Sequence, residues 1–116
     1  MTDKNEKTPR GPLAPSLAHS LMDVVAYQEG SVVSRTIKKS PQGTLTLFAF
    51  AKGEGLSEHS TPFDAFVQVL DGEAQLTIGG KEVRARAGEI VVMPAEIPHA
   101  LHAKTPFKML LTMIRG

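Results

Sequence analysis

An all-β fold, a sandwich or barrel of eight or more strands, follows from three observations. Short apolar runs recur from Tyr27 onward at roughly ten-residue intervals, Gly and Pro punctuate them, and no stretch sustains a helical period. The chain has 116 residues and a mass of 12.5 kDa, the size of one domain. Its 41% hydrophobic and 22% charged content is ordinary globular usage, which excludes wholesale disorder.

The elements read in order as follows. Residues 1–16 are polar and broken by Pro9, Pro12 and Pro15, an extended N-terminal arm that either stays free or crosses to a partner subunit; residues 17–116 form the single barrel domain. Ser16–Asp23 carries Leu17, Leu21 and Met22 at near-helical spacing, enough for one or two helical turns. Ser31–Ile37 is rich in β-branched residues and ends before the turn Pro41-Gln42-Gly43. Thr44–Ala51 and Ser57–Thr61 are the next strands, separated by Lys52-Gly53-Glu54-Gly55. Ala65–Leu70 is closed by Asp71-Gly72, a dipeptide of tight hairpins. Ala74, Leu76 and Ile78 alternate with polar residues up to Gly79-Gly80, a second hairpin signal. Val83 and Ala85 alternate with Arg84 and Arg86, which places both arginines outside. Ile90–Met93, His99–Ala103 and Phe107–Ile114 complete the series.

Composition removes several function classes. Thirteen basic and twelve acidic residues leave a net charge of +1, which argues against a nucleic-acid or anionic-lipid surface. Without cysteine there is no disulfide, thiolate nucleophile or Cys-based metal site, and without tryptophan the commonest stacking anchor is missing. No apolar run approaches the roughly 20 residues of a membrane helix. The opening MTDKNEKTPRGP lacks the apolar segment of a signal peptide, so the expected address is cytoplasmic.

Four histidines and the carboxylates are left as metal ligands. His59 follows a glycine loop and His99 follows Pro94-Ala95-Glu96-Ile97-Pro98; each is read as opening a strand at a barrel mouth. On these residues the chain resembles the cupin superfamily, whose small type 2 members fold as an RmlC-like jelly roll, a double-stranded β-helix. Gly53, His59 and Gly72 match the first cupin motif, while Thr61 stands for its second histidine and Ala65 for its glutamate. Gly88, Pro94 and His99 match the second motif, with Glu96 for its glycine and Ala103 for its asparagine. The fifteen residues Glu73–Ala87 separate the two, as in compact microbial cupins. Gly72 and Gly88 are expected at positive φ.

The resemblance implies a metal site of three histidines and one glutamate, of which this chain keeps two imidazoles. Alternation puts Thr61 on the face of His59. A bulge near Pro62 would turn Asp64 inward to make a 2-His-1-carboxylate set; Gln68 is a second oxygen candidate on the facing of Asp64. One divalent transition metal (Fe, Mn, Ni or Zn) and no metal at all both stay open. His102 falls on the opposite face of its strand from His99, and His19 has no partner.

Three functions remain: a metal-assisted enzyme of oxygenase or isomerase type, a binding or sensor module for a small molecule without metal, and a structural subunit. The resemblance also implies a homodimer, for which the long apolar strands Thr44–Ala51 and Phe107–Ile114 are suited.

Overall fold

The computed structural model describes residues 13–116, so most of the expected arm lies outside the described residues. Within them a single helical turn, α1 (Leu21–Val24), precedes eight strands: β1 (Val32–Ser40), β2 (Gly43–Phe50), β3 (Gly55–His59), β4 (Asp64–Ile78), β5 (Lys81–Arg86), β6 (Ile90–Met93), β7 (His99–His102) and β8 (Phe107–Ile114). All pairings are antiparallel. They form a jelly roll of two sheets, β1-β2-β8-β4-β6 and β5-β4-β7-β3, with β4 common to both. No helix among the described residues is long and apolar enough to cross a membrane.

One expected turn is replaced by something else. Asp71-Gly72 does not reverse the chain; β4 runs through it for 15 residues. Residues 64–72 pair with β8, residues 73–78 pair with β5, and the register shifts between Val69 and Asp71. A bulge at this point lets one strand leave the first sheet and enter the second. Gly72 adopts φ +74°, and a Cβ there would collide with the carbonyl oxygen of Pro106 where β8 begins. The true reversal is Gly79-Gly80, which pairs Ile78 with Lys81 as a two-residue hairpin.

The alternation of β2 feeds two cores. Phe50 points between the sheets and stacks on Phe107 with centroids 4.5 Å apart, in a cluster with Ala65, Val67, Val69, Leu76, Met93, Leu101 and Met109. Leu47 and Ala49 point outward, where Val24 and Val25 cover them together with Leu13 and Leu110. Tyr27 fastens this cover: its hydroxyl donates to the Asp71 carboxylate at 2.6 Å, and Lys108 lies over its ring while donating to the Met22 carbonyl. Burial, then the bonded Asp71, raises the Tyr27 hydroxyl above its ordinary range, so it stays a donor.

Neither of the two long apolar strands has a free edge, since β2 lies between β1 and β8, and β8 between β2 and β4. Exposed apolar side chains lie instead on β6, at Ile90 and Val92, and at Ile114.

Gly72→Ala is expected to destabilise the fold by about 2 kcal/mol or more, combining a left-handed backbone with a backbone clash. Urea denaturation measures it; wild-type stability in this variant would show that the strand needs no glycine at its bend.

Candidate metal centre

Two linkers bring the histidines together. His59 is the last residue of β3 rather than the first of a strand, because the ladder with β7 ends at the pair His59–His99. His99 opens β7 and is also paired with Ile78 of β4. The linkers that follow His59 and precede His99 are tied by the Glu96 amide donating to the Thr61 carbonyl at 2.7 Å. Glu96 holds φ +68° where the motif has glycine.

The rings meet edge to face, with centroids 4.4 Å apart and the planes 70° apart. His99 is 4% exposed, within the wall, and His59 sits on the exposed rim. Each ring donates from Nδ1 to a carbonyl two residues earlier, His59 to Ser57 at 2.8 Å and His99 to Ile97 at 3.3 Å. Carbonyl oxygens only accept, so both Nδ1 atoms carry the proton in neutral rings. Both Nε2 lone pairs then converge, 3.2 Å apart. Two lone pairs at that distance repel unless a positive centre lies between them, either a proton or a metal ion.

The separation suits an ion. Two imidazole nitrogens bound at about 2.0–2.1 Å in neighbouring coordination positions lie about 3–3.4 Å apart. The carbonyl bonds at Nδ1 are the second-shell contacts that fix tautomer and ring direction in metal-binding histidines. His59 and His99 are the residues that would hold an ion here, and no third protein ligand joins them among the described residues. They do not fit the four-ligand site. No group of three or more His, Cys, Asp or Glu that could hold a metal occurs among the described residues.

Each further candidate is bonded elsewhere, faces away or carries no donor atom. Thr61 lies beyond the end of β3, so alternation from His59 does not reach it; its hydroxyl bonds the amide and carbonyl of its own turn at Phe63. Asp64 shares the outward facing of β4, and its Oδ1 accepts from the Ala95 amide at 2.9 Å, so the inward bulge does not occur. Gln68 is exposed on that same outer face, opposite the buried Ala65, Val67 and Val69, because the pleat runs unbroken from Asp64. Ala65, 1% exposed, lies on the inner face. His102 is exposed on the far side of β7, and the exposed His19 bonds the Ala14 carbonyl.

One inner-face residue escaped the sequence reading. Thr44 pairs with Met113, Met113 with Ala65, and Ala65 with Met93, a single row across four strands. Its Oγ1 is buried with no hydrogen-bond partner among the described residues. A threonine in a strand looks like any β-former, and only the tertiary row shows that its hydroxyl is enclosed.

Burial lowers the His99 imidazole below its ordinary 6.5, and the neighbouring His59 lowers it further; the Ile97 carbonyl opposes both. The unfolded chain therefore binds the proton at a higher pH than the folded one. Stability from neutral His99 is complete above about pH 6.5 and is lost as the pH falls toward the lowered value. Urea midpoints from pH 7.5 down to 5 are expected to fall in the wild type and to fall less in His99→Gln. Parallel profiles for the two proteins would contradict this.

Similarity to known proteins agrees with the fold. A model of the Cupin domain family matches residues 46–114. A conserved protein of unknown function from Streptococcus pyogenes superposes with a TM-score of 0.87 at 35% identity, over 90% of this chain and 91% of that one. A cupin superfamily protein from Desulfitobacterium hafniense gives 0.84 at 28% identity, over 90% of this chain and 95% of that one. A cupin 2 conserved barrel domain protein from Leptotrichia buccalis gives 0.77 at 46% identity, over 78% of this chain and 44% of that one. No curated protein matches the sequence. The family match spans β2 to β8, the strands that build both sheets and position His59 and His99, and the chain belongs to the cupin family.

Proposed function

We propose that this cupin binds a small molecule between its sheets at a two-histidine centre that takes one divalent transition metal of the Fe, Mn, Ni or Zn class. The observation that carries the reading is the convergence of the two Nε2 lone pairs at 3.2 Å, with both Nδ1 atoms committed to carbonyls. His59 and His99 would hold the ion, which when bound supplies a Lewis acid for a ligand oxygen or a position for dioxygen. The Ser57 and Ile97 carbonyls keep the rings aimed. The apolar wall that includes Ala65, Met93 and Leu101 excludes bulk water beneath them.

The missing third protein ligand favours a second reading, in which the pair shares a proton and the protein is a metal-free binding module. Elemental analysis of tag-free protein purified without chelator separates the two. The metal reading expects near one metal per chain, lost in His59→Ala and in His99→Ala. No metal in the wild type after incubation with Fe, Mn, Ni and Zn leaves the binding module.

A further inference from the structure

We infer that the free edge of β6 is where a second copy of this chain joins, in an antiparallel pair about a twofold axis at Val91 that makes one continuous sheet out of two. This is independent of whether the histidines take an ion. Among the described residues four strands have a neighbour on one side only: β1, β3, β5 and β6. Three of them carry the charges or irregularities that keep edges apart. β1 has Lys38, Lys39 and a register shift between Thr36 and Lys38; β3 has Glu58 and a shift between Leu56 and His59. β5 has Lys81, Glu82, Arg84 and Arg86. β6 reads Ile90-Val91-Val92-Met93, with no charge, no proline and an unbroken register against β4. Its outward side chains are 58% exposed at Ile90 and 53% at Val92, and the half-buried Phe66 pairs with Val92 from β4.

Hydrogen-bond parity identifies the partner. The Val69 amide donates to the Glu89 carbonyl, so the bonded pairs that continue this ladder are Val67–Val91 and Ala65–Met93. The N–H and C=O groups of Ile90 and Val92 therefore point to the free edge. Two such residues, one position apart, are complementary to themselves when a copy is turned about Val91. The Ile90 amide donates to the partner's Val92 carbonyl, and the Ile90 carbonyl accepts from the partner's Val92 amide; symmetry repeats both bonds. The same register sets Ile90 against the partner's Val92 on the outer face, an apolar β-branched pair. Charge agrees. The turn entering β6 carries the exposed Arg86, and the turn leaving it carries the exposed Glu96. Antiparallel pairing lays each entering turn beside the partner's leaving turn, so opposite charges meet at both ends. Glu89, also on the entering turn, accepts the Arg86 amide within that turn. The N-terminal arm is a poorer occupant, because residues 1–12, MTDKNEKTPRGP, hold no apolar run to cover Ile90 and Val92.

The test is sedimentation velocity on the full chain. So short a ladder is a small interface, and a dissociation constant on the order of 10 µM is expected, which loading from about 1 to 200 µM spans. Val92→Pro removes a donor that β4 does not use, and Ile90→Lys charges the edge; each is expected to weaken the dimer at least about tenfold. The lysine variant decides if the proline variant does not fold. Because the chain has no cysteine, a single introduced one reports the register. Val91 and the partner's Val91 form a non-hydrogen-bonded pair with Cα atoms about 4.5 Å apart, within disulfide reach. Under mild oxidation Val91→Cys is expected to cross-link the dimer, and Ile90→Cys is not. A monomer at the highest concentration overturns the inference and leaves the edge to an extended apolar segment of another protein. A dimer unchanged by Ile90→Lys and Val92→Pro overturns it as well and places the contact elsewhere, the N-terminal arm included. Cross-linking through Ile90→Cys but not through Val91→Cys overturns the twofold register.

Discussion

Everything in this molecule depends on one strand belonging to two sheets. β4 serves the first sheet up to Gly72 and the second beyond it, so the sheets are joined by backbone as well as by packing. The bend is held from both sides. The start of β8 leaves no room for a Cβ at Gly72, and Asp71 receives the Tyr27 hydroxyl from the segment that covers the outer core. A displaced bend would separate the edges that carry the linkers after His59 and before His99. The imidazole geometry is thus a remote consequence of a backbone conformation that glycine adopts readily.

The histidines show how little side chain is needed to define a site once the backbone has fixed its surroundings. Two carbonyls settle the tautomers, and the tautomers settle where the lone pairs point. Burial then keeps His99 neutral, the form in which a nitrogen can donate to an ion. Thr61 and Ala65 stand in the other two motif positions, the one bonded within its own turn and the other part of the apolar wall on the inner face.

Much of this was legible in the sequence, because the fold announces itself through turn chemistry. Gly53, Gly72, Gly88 and Pro94 stand where a jelly roll must bend, and their spacing singles out His59 and His99. Phe107–Ile114 and the Gly79-Gly80 hairpin fall where apolar run and dipeptide put them. The unreadable parts involve partners distant in the chain. Asp71-Gly72 favours a reversal locally, and only its fit against β8 turns it into a bulge. Thr61 kept the right parity but not the strand, which ends at His59. The Tyr27–Asp71 bond spans 44 positions and has no local signature. The enclosure of the Thr44 hydroxyl requires four strands to be in place at once.

The pairing of β2 with β8 has a consequence in time. The chain must travel from Phe50 to Phe107 before the first sheet acquires its central ladder, so its most apolar strand waits for the last one made. Closing so long a loop costs entropy that local contacts do not return, which makes this ladder a late event in folding. During synthesis the β1–β2 hairpin leaves the ribosome with Phe48 and Phe50 uncovered beside an unpaired edge. A nascent chain in that condition is a client for whatever holds exposed strands apart in the cell, and truncation before Phe107 would prolong it indefinitely.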